Sequence, residues 1–218
     1  MKSFFDRSAP LAGILSVACA AVGTLVVLNL PQEKDSDSTI TAYFTSHEHR
    51  VHGAIGFFAS LVAVLLLLVF LTSLRQRLLA ADEQPGSLAA LSFGAGIASA
   101  ALWAASAILG SATTFATIET SKFQVDPNTY RLLANAAYLT WVAALMIGTL
   151  VIWTTSAHAL RTHAFPRWYA WLGILAGASQ LAAFFIFPFL AWWIWIILTS
   201  IVLARRGTST ARTVAPAI

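Results

Sequence analysis

The densest group of reactive side chains is the octapeptide SHEHRVHG, Ser46–Gly53, which holds three of the five histidines and a glutamate. Imidazole and carboxylate together suit Zn or Cu, and imidazole alone titrates close to neutral pH. Thr45 and Glu48 have the spacing of a capping box, in which the glutamate reaches back to the cap amide, so a helix is expected to start here. At about 100° per residue, Glu48, His49 and His52 fall within roughly 100° of one face, and His47 lies to the side. The octapeptide therefore reads as a partial Zn or Cu site, a pH-responsive collar, or only the polar lip of a membrane helix. His158 and His163 belong to the other end of the predicted helices and cannot complete a site with it.

A second polar group is Asn135, Tyr138 and Gln180. Asn135 and Tyr138 are three residues apart and share a helix face. With Gln180 they form a candidate polar cluster inside a bundle, serving either hydrogen bonding between helices or a small-molecule site. Other chemistry is excluded by composition. The single cysteine, Cys19, rules out intrachain disulfides and dithiol redox chemistry. No nucleophile has a base within a predicted span, one histidine box is too few for a di-iron hydroxylase, and no Walker, Rossmann or CxxC pattern occurs. No catalytic residue and no cofactor are assigned, and an enzyme is the least favoured class.

The elements that carry these residues follow from charge spacing. The chain has 218 residues, of which 58% are hydrophobic and only 10% charged, and its mean hydropathy is +0.76. A soluble domain is nearer one quarter charged. Asp, Glu, Lys and Arg are absent from Ser8–Gln32, Val51–Ser73, Gln84–Ile118, Leu132–Leu160 and Trp168–Ala204, and about 20 apolar residues cross a bilayer core. The last run would be about 55 Å long as one helix, and Pro188 favours a break near its middle. The prediction is an all-α bundle of six transmembrane helices over 1–206, with spans near 9–30, 52–74, 88–112, 130–157, 168–186 and 189–204.

Basic residues orient it. Lys2, Arg7, Arg75, Arg77, Arg161, Arg167, Arg205, Arg206 and Arg212 fall on one side, and Lys34, Arg50, Lys122 and Arg131 on the other. The richer side is expected to be cytoplasmic, which puts both termini inside a bacterial-type cytoplasmic membrane. The pI of about 9.6 reflects these arginines and does not point to nucleic acid. Ala18-Cys19-Ala20 resembles a signal-peptidase site, but the apolar run continues through Leu30, so the first helix is expected to be retained.

Local signals complete the outline. Asp126 and Pro127 read as N-cap and first residue of the fourth helix. Gln84–Ser87 reads as a turn with Ser87 as a cap, Pro31–Thr45 as a polar loop, and 207–218 as a disordered tail. Gly94 and Gly96 in the third helix, within a run rich in Ala and Ser, and Gly173 and Gly177 in the fifth read as close-packing positions. Tryptophans near span ends suit an interfacial belt.

The start of the first span at APLAGILS, the FLTSLRQRL exit of the second, and the closing FPRWYAWLGILAGASQLAAFF and WIWIILTSIVLARR give a resemblance to a bacterial family. It is a family of six-span membrane proteins catalogued as a domain of unknown function. The resemblance implies six helices and carries over no site. The favoured reading is a non-enzymatic accessory or interaction protein in the lipid bilayer, packing as a homo-oligomer or against a membrane-complex partner. The alternatives are a small-molecule or lipid transporter built on Asn135, Tyr138 and Gln180, and a metal- or pH-responsive protein working from Glu48, His49 and His52.

Overall fold

The computed structural model describes residues 2–81, 87–120, 122–162, 165–185 and 188–212, with side chains described for 11–204 within those ranges. All regular structure among the described residues is helical: α1 Lys2–Val27, α2 Asp37–Thr45, α3 His47–Ala80, α4 Ser87–Glu119, α5 Pro127–Thr162, α6 Arg167–Gln180, a 3-10 turn Ala183–Phe185, and α7 Pro188–Arg212. Three helices, α3, α4 and α5, are long and apolar enough to cross a membrane, and Leu11–Val27 and Pro188–Ala204 are shorter apolar helical segments. Helix therefore continues through 207–212, where a disordered tail was expected. Residues 213–218 and the expected turn at Gln84–Gly86 lie outside the described residues, as does His163.

The long helices form a circuit. α1 packs on α3, α3 on α4, α4 on α5, α5 on α6, α6 on α7, and α7 returns to α1. Aromatic side chains fill the interior. Trp192 and Trp195 stack at 5.6 Å, and Phe70 of α3 meets Trp195 edge-on at 6.5 Å. Both tryptophans are buried, which corrects the belt reading for these two residues of α7: Trp192, Trp195, Ile196, Thr199, Ser200 and Leu203 form one inward face at helical spacing, so the indoles fill the core. Trp168 and Trp171 are exposed, as belt residues are.

Glycine sets how closely the helices approach. A Cβ at Gly13 would collide with Ser200 and lie 2.7 Å from Phe70, where α7 closes on α1. At Gly56 it would lie 2.7 Å from Val26, and at Gly96 2.7 Å from Leu71. At Gly173 it would collide with Ser156 and at Gly177 with Trp153. The space over Gly177 is what lets Trp153 Nε1 reach across to donate to the Ile174 carbonyl, at 3.1 Å. Gly94 differs from the other three predicted packing glycines, because nothing lies within 4 Å of its Cβ position.

Hydroxyls join the same helices. Ser16 donates to Ala63 O, Ser99 to Ala144 O and Ser106 to Ala137 O, each at 2.7 Å. Tyr169 and Thr199 share a 2.6 Å bond between α6 and α7. Such bonds average about 0.6 kcal/mol inside membranes, so they align the helices more than they hold them together.

Gly177→Leu is expected to expel the Trp153 indole and destabilise the α5–α6 joint by about 1–3 kcal/mol, the usual cost of overpacking. Gly94→Leu is expected to change stability by less than about 0.5 kcal/mol. Thermal unfolding in detergent, followed by circular dichroism, measures both.

Candidate functional site

The histidine-rich segment opens α3, one residue after α2 ends. Ser46 closes α2 and caps α3, and it makes no side-chain cap bond. Thr45 does not start a capping box. Its hydroxyl donates back to Ala42 O at 2.7 Å, as the last residue of α2. The expected polar loop is thus in part a helix, capped where Ser36 accepts from the Thr39 amide at 3.2 Å.

This junction separates the predicted ligands. His49 is half-buried and stacks on Tyr43 at 4.1 Å, with the rings 3° from parallel. Burial pushes the Tyr43 phenol above its ordinary value. Glu48 and His52 are exposed. Among the described residues no three His, Cys, Asp or Glu side chains, Glu48, His49 and His52 included, assemble as a metal-binding group. Arg50 turns the other way, donating from Nη1 to the Thr117 carbonyl in the last turn of α4 at 2.9 Å, a position where a cation complements the helix dipole.

The organising residue on this side is Arg131, which the sequence marked only as one loop charge. From the first turns of α5 its guanidinium donates Nε to Glu33 O at 2.9 Å and Nη2 to Asp35 O at 2.8 Å. It also pairs with Asp37 at 2.8 Å. One planar fork thus fixes the chain leading into α2, a task the single ammonium of lysine cannot reproduce. Next to it, Tyr130 donates to Pro31 O at 2.7 Å and packs on Phe44 with ring centroids 5.1 Å apart. Ile40, Phe44 and Tyr130 form a small separate core. Asp126 caps α5, with Pro127 as its first residue. Asp126 accepts from the Thr129 hydroxyl and amide at 2.6 and 2.9 Å, and these bonds hold its carboxyl below the ordinary range.

Asn135, Tyr138 and Gln180 each donate to a backbone carbonyl. Asn135 is exposed and donates to Arg131 O on its own helix at 3.3 Å. Tyr138 donates to Phe184 O at 2.6 Å. Gln180, fully buried, donates to Pro188 O. The last two bond carbonyls on either side of the α6–α7 connection, Phe184 in the 3-10 turn and Pro188 at the start of α7. Beside this turn, a pocket of only about 20 Å³ lies between Trp103, Trp141, Phe189 and Trp192.

The larger concavity lies on the bundle surface. It is a groove of about 770 Å³ along α3, walled by Cys19 of α1 and Ile118 of α4, with His47 and Arg50 at one end. Nothing in its composition distinguishes it, because its lining is a plain apolar helix face. The i, i+4 spacing of Val51, Ile55 and Ala59 below Arg50 is the only signal for it.

The chain matches no protein-family model, no curated protein and no solved structure.

Arg131→Ala is expected to raise amide exchange across α2 by tenfold or more, in line with about 1.5–3 kcal/mol for hydrogen bonds to a charged group. Asp37 is 71% exposed, so Asp37→Ala removes only a surface pair of about 0–1 kcal/mol and changes exchange less than fivefold. Hydrogen–deuterium exchange of the purified protein separates the two.

Proposed function

We propose that the chain is a six-span integral protein of a bacterial-type cytoplasmic membrane, with both termini cytoplasmic. It works without catalysis, as an accessory or interaction protein. The apolar segments of α1 and α7 and the short α6 supply the three spans beyond α3, α4 and α5. At about 21 Å for 14 residues, α6 is shorter than a hydrocarbon core of about 30 Å, and the 3-10 turn after it extends the crossing.

The outward face of α4 carries the reading. Its small residues divide between two sides: Ala95, Gly96, Ser99 and Ala100 are buried within the bundle, whereas Ala90, Gly94, Ala98 and Ala101 are exposed. Ala90, Gly94 and Ala98 repeat at every fourth position, the spacing that brings membrane helices into close contact. On the inner side the same residue types meet α3 and α5, and on the outer side they are left exposed among the described residues. A helix from a second copy or a partner protein is the complement such a face takes. The transporter alternative draws on Asn135, Tyr138 and Gln180, each of which donates to a backbone carbonyl, while Gln180 Oε1 is buried without a protein partner among the described residues.

A photo-cross-linking amino acid at Gly94, irradiated in native membranes, is expected to give a discrete protein adduct, and Ala98→Leu is expected to abolish it. The same probe at Leu139, exposed on α5, is expected to give lipid adducts alone. Lipid adducts alone at both positions would overturn the interaction reading.

A further inference from the structure

The groove along α3 combines three properties. First, it is apolar and open to the surroundings: Ile55 is 50% and Phe58 58% exposed, and they alternate with small Ala54 and Ala59, which leave the hollow between them. Second, it has the length of one leaflet. From Arg50 to Val62 the helix rises about 18 Å, against roughly 15 Å for half of a hydrocarbon core. Third, its only charged lining residue stands at one end, where α2 and the α4 C-terminus mark the edge of the bundle.

That residue, Arg50, has no ion-pair partner among the described residues. The ion pair among the described residues is Arg131–Asp37. Arg50 spends Nη1 on Thr117 O, and its Nε is buried without a protein acceptor. A guanidinium held by one carbonyl retains donors and a full charge at the level of the lipid headgroups. His47 beside it lines the same mouth.

We propose that this groove binds a membrane lipid with an anionic phosphate headgroup, one acyl chain lying along Val51–Val62 and the phosphate on Arg50. Charge complementarity selects the occupant. A zwitterionic lipid brings its own cation to the site, whereas an anionic one supplies the missing counter-charge without a competing one. An apolar helix of a partner protein would fill the hollow and leave Arg50 unpaired.

The proposal requires α3 to span the bilayer but does not depend on the interaction role proposed for α4. The single cysteine of the chain lies in the groove wall, so its reactivity reports occupancy. In a neutral detergent, phosphatidylglycerol is expected to slow modification of Cys19 by N-ethylmaleimide about tenfold, at a concentration where phosphatidylcholine with the same acyl chains slows it less than twofold. Arg50→Gln is expected to remove that difference. Ala54→Trp, which fills the groove, is expected to make the rate insensitive to either lipid, with circular dichroism verifying that both variants fold. Glycerol phosphate without acyl chains is expected to have no effect. Equal protection by the two lipids, or undiminished selectivity in folded Arg50→Gln, would overturn the proposal. Neither result would bear on cross-linking at Gly94.

Discussion

In a hydrocarbon surround, one apolar helix gains nothing by hiding from solvent against another, so the helices stay together only where their backbones come close. The contact between α1 and α7 shows how much depends on this. Gly13 faces Ser200, Phe70 and Ile196, and it is the point where the last helix returns to the first. A side chain there would separate α7 from α1 and withdraw Trp192 and Trp195 from the interior they fill. Gly56 against Val26 and Gly173 against Ser156 repeat the device at other joints. Size, more than polarity, sets the circuit.

Polar groups must still be satisfied where water is absent. The helical ladder stops after Gln180 and resumes at Pro188, and across that break Tyr138 donates to Phe184 O and Gln180 to Pro188 O. Outside the apolar layer the same need takes another form. Arg131 gathers two carbonyls and a carboxylate of the segment before α2, and Tyr130 holds Pro31. The result is an ordered cap whose edge, at Tyr43 and His49, runs into the start of α3. The histidine-rich octapeptide is therefore a joint: His49 packs under α2, Arg50 reaches α4, and Glu48 and His52 remain outside.

The helical segments were legible because charge is costly inside a bilayer, so uncharged runs mark them directly. The Asp126–Pro127 start was legible for a local reason, since a cap needs only its own turn. α2 was not, because only Ile40 and Phe44 of its nine residues are buried, too few to rise above a polar stretch. Ser36 as a cap and the four-residue spacing of those two side chains were the available signs. The capping-box pattern misled at Thr45 because the hydroxyl was already engaged one turn back. Gly94 and Gly96 look equivalent in sequence, but two positions turn a helix by about 200°, so one faces Leu71 and the other faces outward. Asn135, Tyr138 and Gln180 have the composition of a site. Which acceptor each one reaches depends on a turn that no spacing rule describes.

The proposed bundle crosses the membrane with the α2 cap and the far end of α3 on opposite sides. With Cys19 replaced by serine, single cysteines at Ser38 in α2 and at Gln76 near the end of α3 can be probed in intact cells with a membrane-impermeant maleimide. This topology predicts labelling of Ser38→Cys in intact cells, and of Gln76→Cys only after permeabilisation. Equal labelling of both in intact cells, or the reverse pattern, would contradict it.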